Sequence, residues 1–138
     1  MVFFLIWLSL TFAVFHQANH VNLLLIDNPV GTGYSYIEPG NNYTRTNKDV
    51  GAEMVQFLVK FYEGHPEFMP VPLYIFGESF GGTMVVEIAK QLSAGIKANK
   101  LKANFKGIGL GDPWISPLDH LRTSVEVLLH TVSMRSGV

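Results

Sequence analysis

Residues 72–82, Pro72-Leu73-Tyr74-Ile75-Phe76-Gly77-Glu78-Ser79-Phe80-Gly81-Gly82, set a serine two residues after one glycine and two before another. The apolar, aromatic run before Gly77 suits a strand, and the stretch from Thr83 to Leu92 suits a helix. A strand that turns directly into a helix at G-x-S-x-G lifts its serine out on a sharp bend. A Cβ at either flanking position would collide with the neighbouring strand or helix, so glycine is the residue that fits. Ser79 is therefore the candidate nucleophile. The Phe80 N–H, at a helix N-terminus, is a candidate donor to a developing oxyanion. A glycine-rich turn that only packs is the structural alternative, and three fixed positions in five do not separate the two.

The 138 residues suffice for one ordinary domain, and a 48% hydrophobic content can supply its core. Net charge is −1 with no basic or acidic block, which argues against a nucleic-acid partner. With no cysteine there is no disulfide, no thiol nucleophile and no Cys-based metal site. Residues 1–15 are apolar almost throughout but shorter than the roughly 18 residues of a membrane-spanning helix, so no stable span is expected. That run fits the apolar core of a secretory leader. It lacks a preceding Lys or Arg and a clean small-x-small cleavage site, so an aberrant N-terminus is the alternative. Residues 131–138 show no turn or cap logic and read as a cut end.

The continuous apolar run Val21 to Ile26, closed by Asp27, suits a strand buried on both faces of a parallel sheet. The following loop, Asn28-Pro29-Val30-Gly31-Thr32-Gly33-Tyr34-Ser35-Tyr36, would lie at the carboxyl end of that strand, where such sheets bind ligands. Gly31-x-Gly33 lacks the third glycine of a dinucleotide fingerprint, so no nucleotide cofactor is expected. Asn42-Tyr43-Thr44 is an acceptor pattern for N-glycosylation, which matters only if the chain is secreted.

Thr46 with Asp49 predicts a capping box, and Val50, Met54, Phe57/Leu58 and Phe61 predict one apolar helix face that ends at Gly64-His65-Pro66. Val85, Ile88, Ala89 and Leu92 predict the inner face of a second helix stopping near Gly95. Lys97, Lys100 and Lys102 read as a solvated linker before a third strand over 105–110, and residues 111–117 form the loop after it. Strand, helix, strand, helix, strand implies an α/β chain whose parallel central strands are joined by right-handed helical crossovers. That is part of an α/β-hydrolase-like fold.

Three segments together point further. Residues 26–35 resemble the D-x-P-V-G-T-G-[FY]-S stretch of the serine carboxypeptidase family, and Gly77-Glu78-Ser79-Phe80-Gly81-Gly82 resembles its G-E-S-[YF]-G-G motif. Residues 109–117 are similar to its downstream strand and loop, particularly in the retinoid-inducible branch. All three fall in the family's order, and the resemblance covers about residues 16 to 120. It implies that 16–138 is a fragment of a single α/β-hydrolase domain. Its reaction would be removal of a C-terminal residue from a peptide or protein through an acyl-enzyme on Ser79, with no metal or organic cofactor. Phe80 would supply one oxyanion N–H. Glu78 would help hold the substrate's free carboxylate, which requires a proton shared between two carboxyl groups. Read without the family, Glu78 is equally an acid placed well at a helix start. Asn28, Pro29, Gly31, Gly33 and Tyr34 would line the substrate cleft. A secreted or lysosomal/vacuolar location would follow.

The chain departs from the family in two places. Nothing in residues 1–20 matches the Gly-Gly loop that supplies the second oxyanion donor and a substrate-binding Asn. The triad's acid and histidine are expected after later strands. Asp112 and Asp119 come too early for that acid, and His120 lies in what reads as the next helix; His130 also follows Ser79. Loss of one oxyanion donor lowers rate about 10²–10³-fold, and loss of the activating base about 10⁶-fold. The chain by itself is therefore expected to be near inert. The alternatives are a non-catalytic product that binds peptides or a partner chain through an unfinished sheet, and an esterase or lipase of the same fold.

Overall fold

The computed structural model describes residues 2–6 and 19–136. Four strands, β1 (Val2–Ile6), β2 (Asn22–Leu25), β3 (Leu73–Glu78) and β4 (Phe105–Gly111), form one sheet in the order β2-β1-β3-β4. Every pairing is parallel. The expectation of three strands is corrected to four, because the first part of the apolar N-terminal run pairs between β2 and β3. A fully apolar run carries no alternation, so a strand there is indistinguishable from a leader by pattern alone. Residues 7–15 of that run lie outside the described residues.

Helix α1 (Asn47–Gly64) joins β2 to β3, and α2 (Phe80–Lys97) joins β3 to β4. Both crossovers step the same way across the sheet, so crossovers of one hand place both helices on one face. The core shows this. Val50, Met54, Leu58 and Tyr62 of α1 meet Val85, Ile88 and Leu92 of α2 over Leu73 and Ile75 of β3. Burial pushes the Tyr62 hydroxyl's pKa up. The second strand differs from its expectation: β2 lies at the sheet's edge and Leu25 is 58% exposed, so it is not buried on both faces. Helix α2 stops at Lys97, near Gly95 as expected. Gly95 is buried in the last turn, and its carbonyl accepts the Lys100 N–H at 2.9 Å beyond the helix end.

The capping box at α1 forms in full. Thr46 Oγ1 accepts the Asp49 N–H at 3.2 Å, and Asp49 Oδ2 accepts the Thr46 N–H at 3.0 Å. The hydrogen bond from the Thr46 hydroxyl holds the Asp49 carboxyl below its ordinary pKa near 3.8. A depressed carboxylate stabilises the fold above its unfolded pKa, and that contribution is lost as pH falls through the folded value. Thr46→Ala is expected to lower unfolding stability by about 1 kcal/mol at neutral pH. The gap from wild type should narrow below about pH 4, as denaturant midpoints at the two pH values would show.

A third helix, α3 (Pro117–Ser136), follows the β4 loop. Its Leu118, Leu121, Val125 and Leu128 are each more than half exposed. Among the described residues no helix is long and apolar enough to cross a membrane.

Candidate active site

In a parallel sheet all strands end on the same edge, so the loops after β2, β3 and β4 emerge together. Strand β1 separates β2 from β3, which sets their ends about 10 Å apart. Strand β4 is β3's direct neighbour on the other side.

Ser79 is the residue between β3 and α2, with φ 53° and ψ −122°. That backbone is the left-handed side of the map, where a non-glycine residue stores about 1–3 kcal/mol. The turn is held from three directions. The Ser79 N–H donates to the Gly111 carbonyl at 2.8 Å, while the Ser79 carbonyl accepts from Gly82 at 3.0 Å and from Trp114 at 3.2 Å. A Cβ on Gly77 would come within 2.5 Å of the Gly81 carbonyl oxygen and 2.7 Å of Val85 Cγ2. One on Gly82 would run into the Pro113 ring. Gly77 and Gly82 each leave space that a side chain would overfill, and Gly81 supplies the backbone against which Gly77 packs.

Ser79, Glu78 and Phe80 are all exposed. The Phe80 N–H belongs to the first turn of α2, where no earlier helical carbonyl can accept it. Among the described residues nothing is hydrogen-bonded to the Ser79 hydroxyl. The candidate acids and bases downstream are engaged or placed elsewhere. Asp119 accepts a short hydrogen bond from Ser116, His120 Nδ1 lies 3.1 Å from the Ser116 carbonyl, and His130 is on the exposed outer part of α3. Asp112, at φ 41°, sits in the β4 loop. Among the described residues there is also no cluster of His, Cys, Asp or Glu able to hold a metal ion.

The loop after β2 folds back on its own strand end. Asp27 Oδ2 accepts the Tyr34 N–H at 2.8 Å, and the Asp27 carbonyl accepts the Ser35 hydroxyl at 2.7 Å. Gly33, at φ 54°, leaves the space that the Asp27 carboxylate fills, and Gly31, at φ 88°, lies under the Tyr43 ring. Pro29 follows a cis peptide bond, and its carbonyl accepts from the Thr32 hydroxyl at 2.7 Å. Asn28 reaches towards the elbow, with Nδ2 3.7 Å from Met84 Sδ on α2. Asn28 is thereby tied to the helix that Ser79 opens, whereas Tyr34 is 98% exposed.

Three contributors were not singled out from sequence. Asp27 organises the loop, Trp114 braces the Ser79 carbonyl, and Asn47 reaches the first turn of α2 through Thr83 Oγ1 at 3.2 Å. For Asp27 a signal existed: an acid closing an apolar strand, followed by two glycines. The other two depend on which loops meet across the sheet edge.

A strained serine on a strand-to-helix turn, over a parallel sheet with both crossover helices on one face, has the shape of the turn that carries G-x-S-x-G in a partial α/β fold. The serine carboxypeptidase family profile matches residues 14–136. The chain is 45% identical over 98 residues to the retinoid-inducible serine carboxypeptidases of Rattus norvegicus and Homo sapiens, covering 71% of this chain and 22% of each relative. It is 38% identical over 107 residues to the pheromone-processing carboxypeptidase KEX1 of Pyricularia oryzae, covering 76% of this chain and 17% of that protein. The chain belongs to the serine carboxypeptidase family, and it spans about a fifth of the length of these curated relatives.

Proposed function

We propose that the chain carries the nucleophile of a serine-type carboxypeptidase, with Ser79 forming an acyl-enzyme as it releases the C-terminal residue of a peptide. The observation that carries this reading is the left-handed backbone of Ser79, braced by Gly111, Gly82 and Trp114. In the reaction, Ser79 Oγ bonds to the scissile carbonyl carbon. The oxyanion takes the Phe80 N–H, and the amine leaves with a proton from the group that first accepted the serine's. The described residues bring no such base to Ser79, so the proposed activity is that of a complete serine carboxypeptidase domain. The 138-residue chain alone is expected to turn over peptide about 10⁶-fold more slowly than such a domain.

The test is fluorophosphonate labelling of the protein from its source, followed by peptide mapping. Label on the Ser79 peptide, with release of a residue from a free-carboxylate peptide but not from its C-terminal amide, supports the reading. Faster turnover of simple esters than of peptides would favour an esterase or lipase.

Glu78 is exposed beside Ser79, which suits it to a substrate's terminal carboxylate provided one proton is shared between the two. KM for a free peptide is therefore expected to rise as pH rises. Glu78→Gln, which donates an N–H without needing that proton, should flatten the KM profile while leaving the amide substrate unaffected. A KM profile unchanged by the substitution removes Glu78 from the binding site.

Binding rather than catalysis is a second reading, favoured by the exposed apolar residues of α3 and by the outer edges of β2 and β4, which no strand among the described residues covers. Sedimentation of the 138-residue chain would separate the two, since a monomer with no bound protein argues against it. The location proposed is the secretory pathway, ending outside the cell or in a lysosome or vacuole.

A further inference from the structure

Asn42-Tyr43-Thr44 is the one N-x-[ST] triplet in the sequence, and the peptidase chemistry has no use for it. Its two working parts are placed differently. Asn42 is exposed, just beyond the turn in which Asn41 donates to the Glu38 carbonyl at 3.1 Å and Gly40 takes φ 91°. No hydrogen bond holds its amide among the described residues. Tyr43 sets its ring against Gly31 and stays largely exposed. The Thr44 hydroxyl is tied down, donating to both carboxylate oxygens of Glu53 on α1 at 2.8 and 2.7 Å. A pattern that demands a hydroxyl two residues after Asn requires the transferring enzyme to read that hydroxyl. Here the folded chain withholds it.

We infer that Asn42 carries an N-linked oligosaccharide, added before residue 44 docks on α1. In the transfer, Asn42 Nδ2 bonds to the anomeric carbon of an oligosaccharide borne on a polyprenyl pyrophosphate. The bond from that carbon to the pyrophosphate oxygen breaks, the pyrophosphate leaves with the electron pair, and the amide proton goes to a base of the transferase. Folding then closes the Thr44–Glu53 hydrogen bonds behind the finished linkage. The sugar stands on the outer side of the turn while Tyr43 keeps its place against Gly31. The modification thus leaves the loop of residues 28–35 supported, and it does not depend on Ser79 being a nucleophile.

The experiment is cell-free translation of the full chain with and without microsomes, read on a gel before and after an N-glycan amidase. A slower band that needs microsomes and collapses with the amidase is expected. Asn42→Gln and Thr44→Val should remove it, and Thr44→Ser should keep it. No slower band, or one that persists in Asn42→Gln, overturns the assignment. For the order of events, chain made without membranes is offered, native or urea-denatured, to detergent-solubilised microsomes with lipid-linked oligosaccharide. The native chain should be modified about tenfold more slowly, the effect of one charge-assisted hydrogen bond that must open. Glu53→Ala should close most of that gap. Equal rates for native and denatured wild type overturn the proposed order.

Discussion

Gly77→Ala is expected to lower unfolding stability by about 2–3 kcal/mol and, in a complete domain that contains this turn, to impair the proposed nucleophile Ser79 at the same time. The added methyl would meet the Gly81 carbonyl at 2.5 Å and Val85 Cγ2 at 2.7 Å. The first is backbone at the start of α2, and the second belongs to a fully buried side chain, so neither can move aside alone. Relief requires α2 to shift away from β3, which carries Ser79 and the Phe80 N–H with it. Displacements of that order misplace a reacting atom enough to lose about 10²-fold in rate. Denaturant unfolding and fluorophosphonate labelling of the same variant check both halves. Unchanged stability would mean that the Gly77 contact is not the constraint on the turn.

In a complete serine carboxypeptidase domain that contains this turn, Ser79→Ala is expected to abolish labelling and to remove about 10⁶-fold of the acylation rate, while leaving stability nearly unchanged, because alanine inherits the φ of 53°. Ser79→Gly should abolish labelling too, yet stabilise the fold by about 1 kcal/mol. Glycine relieves backbone strain of about 1–3 kcal/mol and returns about 0.5–1 kcal/mol of it as chain entropy. The pair separates strain from chemistry. An alanine variant that still labels removes Ser79 as nucleophile, and a glycine variant that is destabilised removes the strain.

Much of the fold was legible because the signals were local. The capping box of Thr46 and Asp49 is a four-residue device, and it formed as its spacing predicts. The faces of α1 and α2 follow from a repeat of 3.6 residues, and Leu58 and Ile88 are fully buried. Phe57 shows the limit of that reading: it shares the predicted face with Leu58, but its 38% exposure puts it at the margin. The helix does stop near Gly95, at Lys97, but Gly95 is not the residue that turns the chain. Glycine ends a helix when the backbone needs a left-handed residue, whereas here Asn99, at φ 55°, takes that conformation four residues later.

The candidate site divides the same way. The order glycine, acid, serine, aromatic, glycine by itself determined that a strand would turn sharply into a helix with Ser79 at the bend, because only residues lacking Cβ fit so tight a crossing. It also placed Glu78 and Phe80 beside the serine through covalent neighbourhood alone. Which other loops join them was decided by the sheet order β2-β1-β3-β4. That order puts β4 next to β3, so Trp114 and Gly111 brace Ser79, and it sets the Asn28 loop one strand further off, in contact with α2 through Met84. Parallel pairing is a matter of partners distant in the chain, and the apolar residues 2–6 carry no mark of the strands they lie between. The local turn is therefore written in the sequence, while the company it keeps comes from hydrogen bonds between strands that only the tertiary structure brings side by side.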